Sequence, residues 1–136
     1  MWIVEGASKA GKPSQEQADY FTVARDANIA AIEAGVAGRP VSGIDAAAQR
    51  VIERAGYGEF IHHRTGHGIG INGHEYPEDI AFNHRALLKN EVYSAEPGIY
   101  VYGLGGFRVD DTIVIGDDAA GVLTKTPKTL EYATVG

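Results

Sequence analysis

The sequence predicts an α+β fold: two helices early, short strands later, and no alternation of the two. Three observations carry this. Residues 14–34 and 42–55 repeat apolar side chains at helical spacing. From Tyr57 onward the texture changes to short β-type runs punctuated by glycine. No internal repeat or linker divides the chain, so residues 1–136 read as a single domain.

Met1 to Glu5 reads as the tail of a short strand, followed by a Gly/Lys loop ending at Pro13. Ser14 begins the clearest helix, its hydroxyl capping the first turn while Gln17 reaches back in a capping box. Tyr20, Val23, Ala24, Ala27, Ala31 and Ala34 form its apolar stripe, and residues 35–40 break it. Ser42 caps a second helix, with Asp45 completing an [ST]-x-x-[DE] start. Its buried side is Ile44, Ala48, Val51, Ile52 and Ala55, and Gly56 stands where a left-handed C-terminal cap belongs. Strands are expected near residues 60–65, 69–71, 92–101, 107–115 and 122–124. Gly103-Leu104-Gly105-Gly106 joins two of them as a hairpin.

Composition narrows the function classes. The 136 residues are 44% hydrophobic and 22% charged, in the range of folded proteins rather than disordered ones. A net charge of −6 argues against nucleic acid as a partner. The absence of cysteine excludes disulfides and thiolate metal sites and fits a reducing compartment. No run is long and apolar enough for a membrane span, and the start lacks the pattern of a signal peptide, so the expected location is cytoplasmic. Gly6 to Lys12, GASKAGK, nearly spells a phosphate-binding loop. Pro13 replaces the required Ser or Thr and has no backbone N–H to offer, so the segment reads as a solvated turn.

Chemistry concentrates in HRTGHGIG with the following HEYP, in SAEPGIY, and in GFRVDDTIVI. If residues 92–101 form a strand, Ser94 and Glu96 share one face. On the partner strand Arg108 and Asp110 share a face, while Phe107, Val109, Asp111 and Ile113 turn to the core. The hairpin then brings Glu96 and Asp110 together, and two carboxylates so placed need a metal or an arginine between them. With His67 added, the set suits Mn²⁺, Fe²⁺, Co²⁺ or Zn²⁺. Each residue also has a bland reading: Glu96 as a solvent-facing strand residue, His67 as a satisfied polar group in a turn, Asp110 as a carboxylate neutralised by Arg108. His62 and His84 read as structural or surface residues.

His67 in GHGIG, Glu96 in EPGIY and Asp110 in FRVDDT resemble successive ligand motifs of the pita-bread metallopeptidases, of the Xaa-Pro dipeptidase and aminopeptidase P kind. The resemblance covers most of the chain, including the ending VLTKTPKTL. It implies a pita-bread fold and a five-ligand site for two metals sharing a water or hydroxide, which hydrolyses an Xaa-Pro peptide bond. On that basis His67, Glu96 and Asp110 are metal ligands, and Glu96 also carries a proton. His74, seven residues after His67, contacts substrate near the scissile bond and counts with Glu96 as catalytic. His63 and Arg108 bind substrate or orient ligands. Manganese is the expected metal, with Co, Zn or Fe as alternatives.

Two family features are expected to be missing. The other two ligands are aspartates in a segment resembling D…DLTRT, whose position here falls at or before Met1. The last ligand is usually glutamate, and here it is Asp110, one methylene shorter. The fold is therefore expected to be incomplete at its N-terminal side, with at most one ion held per isolated chain. A truncated sheet exposes a pairing edge, so self-association or a complementing chain is expected. The alternative readings are a fragment active only when completed by another chain, a catalytically silent binding module, and a metal-free creatinase-like relative, the last disfavoured by clustered carboxylates.

Overall fold

The computed structural model describes residues 2–4 as backbone, 11–77 and 80–134. Within these, β1 (Trp2–Val4) is followed by α1 (Gln15–Ala34) and α2 (Ser42–Arg54), then a 3₁₀ turn at Gly58–Phe60. The second half carries β2 (Val92–Ala95), β3 (Gly98–Val101), β4 (Gly105–Arg108), β5 (Asp111–Val114), β6 (Gly121–Val122) and the short α3 (Leu130–Ala133). The expected α+β order holds. The Gly/Lys loop and its likeness to a phosphate loop lie outside the described residues up to residue 10.

The helix expectations hold where their causes are local. Ser14 caps α1, its hydroxyl accepting from Gln17 N at 3.2 Å while its own N–H donates to Gln17 Oε1 at 2.9 Å. Gly56, at φ +85°, ends α2 in the left-handed region that glycine reaches without strain. The start of α2 differs from expectation. Val41 is already in helical conformation as the N-cap, and the Ser42 hydroxyl bonds His84 Nδ1 at 3.0 Å instead. Asp45 points into the protein rather than back to a cap, and Ala55 is exposed.

α1 and α2 pack together, and α1 lies across β2, β3 and β4. Ala24, Ala27 and Ala31 from α1 and Ile44, Ala48 and Ile52 from α2 meet Tyr93, Ala95, Ile99, Phe107 and Ile113 from the strands in one core. The alanines let helix backbone approach sheet closely. Phe21 and Asn28, outside the predicted stripe, are fully buried with them. Among the described residues no helix is long and apolar enough to cross a membrane.

The two long strands expected at 92–101 and 107–115 are each broken. The strands form two three-stranded antiparallel sheets, β1-β4-β3 and β2-β5-β6. The β2/β5 ladder ends at Ala95 opposite Asp111, and the β3/β4 ladder begins at Gly98 opposite Arg108. Residues 96–97 and 109–110 thus face each other in a gap between ladders. Pro97 has no N–H to donate, which interrupts pairing on one side of that gap.

Two further expected strands are not strands. Phe60 ends the 3₁₀ turn, and residues 61–71 run as irregular chain. The stretch nonetheless lies along β2: Ile69 N donates to Val92 O at 2.9 Å, Ser94 N to His67 O at 2.8 Å, and Glu96 N to Thr65 O at 2.6 Å. β6 covers residues 121–122 rather than 122–124.

Candidate active site

The gap between the ladders is where the sequence-predicted residues meet. Glu96 sits in it, and its Oε1 lies 3.1 Å from His67 Nε2 and accepts from Ser94 Oγ at 3.1 Å. Its Oε2 pairs with Arg108 Nη1 at 3.2 Å. Ser94, Glu96 and Arg108 therefore share a face, as strand alternation predicts. Asp110 stands opposite in the second break, exposed at the edge of the cluster. The surrounding protein and then the Glu96 charge raise its pKa, against the pull of Arg108. Its neighbours Val109 and Asp111 are buried, as the predicted core face requires.

His67 is held on both sides. Its N–H donates to Ser94 Oγ at 2.9 Å, and the ring Nδ1 lies 2.9 Å from Gly68 O. A carbonyl only accepts, so Nδ1 carries the hydrogen. In the neutral ring Nε2 then presents a lone pair to the Glu96 carboxylate. Two acceptors at 3.1 Å need a proton or a cation between them. His74 stacks on His67, with ring centroids 3.5 Å apart and planes 16° from parallel.

The backbone beneath His67 approaches β2 closely. A Cβ on Gly66 would stand 2.0 Å from Ser94 O, so no other residue fits there unmoved. Asp45, buried on α2, accepts from Thr65 N at 2.7 Å and from Gln49 Nε2 at 2.7 Å. That contact anchors the segment whose Thr65 carbonyl receives the Glu96 N–H.

His63 is engaged within the protein. Its Nδ1 lies 2.7 Å from Arg64 O and so carries a hydrogen, leaving Nε2 to accept from Tyr100 OH at 2.7 Å. Burial raises the Tyr100 pKa, opposed by the Arg108 charge and a hydrogen bond from it. The ring lies against Gly98 and Gly106. A relay Arg108–Tyr100–His63 thus flanks Glu96. Sequence reasoning missed Tyr100, although it lies four residues after Glu96 and one glycine beyond a strand alternation would have found it. It also missed Ser94 as a partner of His67, and Asp45 and Asn28, whose partners are distant in the chain.

Among the described residues, no three histidine, aspartate or glutamate side chains already converge as a metal nest. The pair His67 and Glu96 is formed, Asp110 flanks it, and Arg108 supplies the countercharge. The donor chemistry, one imidazole lone pair beside two carboxylates, suits a borderline divalent ion.

Residues 6–117 match the model of metallopeptidase family M24. A Xaa-Pro dipeptidase of Lactobacillus helveticus is 42% identical over 125 residues, which are 92% of this chain and 34% of that protein. The solved Xaa-Pro dipeptidase of Bacillus anthracis superposes with a TM-score of 0.85 at 34% identity, over 89% of this chain and 34% of that one. A dipeptidase from Mycobacterium ulcerans gives a TM-score of 0.85 at 37% identity, over 89% and 33%. The chain spans about a third of the length of these relatives. It has the pita-bread fold in part. With the motifs, the strand topology and the match in agreement, the chain belongs to metallopeptidase family M24.

Proposed function

We propose that this chain carries part of the site of a metal-dependent hydrolase that cuts Xaa-Pro peptide bonds, as a dipeptidase or an aminopeptidase P-like enzyme. The observation that carries the reading is the facing of His67 Nε2 and Glu96 Oε1 at 3.1 Å, with Nδ1–H turned to a backbone carbonyl. A histidine whose outer nitrogen is fixed in this way offers its inner lone pair to an ion. His67, Glu96 and Asp110 would hold one divalent ion, manganese before cobalt, zinc or iron. The raised pKa of Asp110, caused by its protein surroundings and by Glu96, marks a place where a positive charge is favourable.

When bound, such an ion supplies activation of water and of the scissile carbonyl at neutral pH. The chain's own residues do the rest. Glu96 takes and returns the proton of the attacking water, aided by its Ser94 hydrogen bond. Arg108 pairs with Glu96 Oε2 and is available to a substrate carboxylate. His74, exposed over His67, faces the approach to the site and contacts the substrate there. His63 acts through Tyr100, which it holds in place. Its partners are a peptide with proline after the scissile bond and a second copy or complementing chain, and the protein works in the cytoplasm.

A second reading has its own support. Both Glu96 oxygens already have protein partners in His67, Ser94 and Arg108, so the charge cluster is balanced if His67 is protonated. A catalytically silent binding module on the same scaffold would keep this arrangement. Metal content after loading with Mn²⁺ and dialysis, with hydrolysis of an Xaa-Pro dipeptide on the same sample, separates the two. Bound ion with turnover supports the enzyme, whereas one ion or none without turnover leaves a fragment of such an enzyme or the binding module.

A further inference from the structure

The two breaks that carry Glu96 and Asp110 lie outside both strand ladders, yet a buried polar network ties them from beneath. Asn28 on α1 is fully buried. Its Nδ2 donates to Ala95 O at 2.8 Å and lies 3.5 Å from Val109 O. These are the carbonyls of the residues directly before Glu96 and Asp110. Lys128 Nζ donates to Asn28 Oδ1 at 3.0 Å, which fixes the amide with its oxygen toward the ammonium and its nitrogen toward the two carbonyls. The same ammonium pairs at 2.5 Å with Asp111, the residue after Asp110, whose side chain is 1% exposed. One amide and one ammonium thereby join α1, the end of β2, the start of β5 and the C-terminal segment.

Such a network is a poor way to gain stability alone. Burying the Asp111 carboxylate and half-burying the Lys128 ammonium carries a desolvation penalty that apolar side chains of similar volume avoid. What it supplies is direction, because hydrogen bonds fix the orientation of backbone that no ladder holds. The Asn28 donor spans the gap and ties residue 95 to residue 109.

We propose that Asn28 and Lys128 are positioning residues for the Glu96 and Asp110 carboxylates, setting the separation at which the pair receives a divalent ion. This rests on the reading of those carboxylates as ligands. It makes the C-terminal segment, through Lys128, a working part of the site rather than a trailing end.

The test titrates Co²⁺ alone into the full chain and records its visible d–d absorption. Thermal unfolding and hydrogen exchange at the Glu96 amide are followed on the same samples. The variants are Asn28→Leu, with Asn28→Ser in reserve should the leucine fail to fold, and the double change Lys128→Met with Asp111→Asn, which leaves no unpaired buried charge. The expected result is a folded chain with Co²⁺ affinity lowered about tenfold to hundredfold, the usual effect of removing an outer-shell support. The absorption band shifts, and the Glu96 amide exchanges faster while α2 keeps its protection. Folded variants with unchanged Co²⁺ affinity, spectrum and Glu96 protection, whatever their melting temperature, overturn the proposal. An unaltered chain that binds no Co²⁺ removes the ligand reading instead, and Glu96 exchange in the variants then decides positioning by itself.

Discussion

His67 Nε2 faces Glu96 Oε1 at 3.1 Å while His67 Nδ1 lies against the Gly68 carbonyl, so the imidazole turns its lone pair, or a shared proton, on the carboxylate. Around this pair Ser94 and Arg108 complete the partners of Glu96. The geometry links a glycine-rich turn to a break in a sheet.

Glu96→Gln keeps the shape and removes the charge. Ion affinity should fall by more than about a hundredfold, beyond the effect of an outer-shell change. Calorimetric titration of Mn²⁺ into both proteins measures it, and equal affinities would refute Glu96 as a ligand. Nitrogen NMR of His67 with Zn²⁺ adds a second reading: Nδ1 should keep its hydrogen while the Nε2 resonance moves.

Gly66→Ala tests the close approach beneath His67. The added methyl would meet Ser94 O at 2.0 Å, and that atom is backbone. Forcing it in should destabilise the chain by about 3 kcal/mol, at the upper end for overpacking. Urea unfolding gives the number; a loss below about 0.5 kcal/mol, the level of ordinary surface changes, would contradict the packing described.

Asp45→Ala removes the acceptor for the buried Thr65 N–H. Leaving that donor unpaired costs about 2 kcal/mol. Because Thr65 O receives Glu96 N–H, exchange at the Glu96 amide should also quicken. Asp45→Asn retains an acceptor and should recover most of the loss.

Acid sensitivity should trace to the loop at residues 85–93. Burial pushes the Glu91 carboxyl up, but the Arg85 hydrogen bond, the Leu88 N–H, the Arg85 charge and the Tyr93 hydroxyl outweigh it, and its pKa ends below the ordinary range. Burial, followed by the Glu91 charge, pushes the Tyr93 hydroxyl up to about 12, so it stays protonated as a donor. A lowered carboxylate pKa means stability present above the unfolded value and lost as pH falls through the folded one. Arg85→Gln should therefore be about 1 kcal/mol less stable at neutral pH, a partly exposed pair being worth little more. The two proteins should converge in acid. Denaturant midpoints across that range decide it, and a gap that widens on acidification would reverse the assignment.

Local causes were legible in the sequence. The Ser14–Gln17 box spans three residues, and the Gly56 cap needs only its own backbone freedom. Period-two alternation with a glycine turn was enough to put Ser94, Glu96 and Arg108 on one face. Distant partners were not legible. Ser42 gave up its expected cap for His84, forty-two residues away. The break at Glu96-Pro97 shows in the sequence only as a proline, within a run whose alternation predicts continuous strand.

By itself, then, the sequence determined the Ser14 and Gly56 caps, the helices-then-strands order, the shared strand face and the family, because these follow from neighbours along the chain. Only the tertiary structure decided that the strands divide at Glu96 and Asp110. It also decided that Asn28 and Lys128, a hundred residues apart, meet beneath them. A buried amide or half-buried ammonium takes its role from whichever unpaired group the packed chain sets before it, and no local pattern specifies that group.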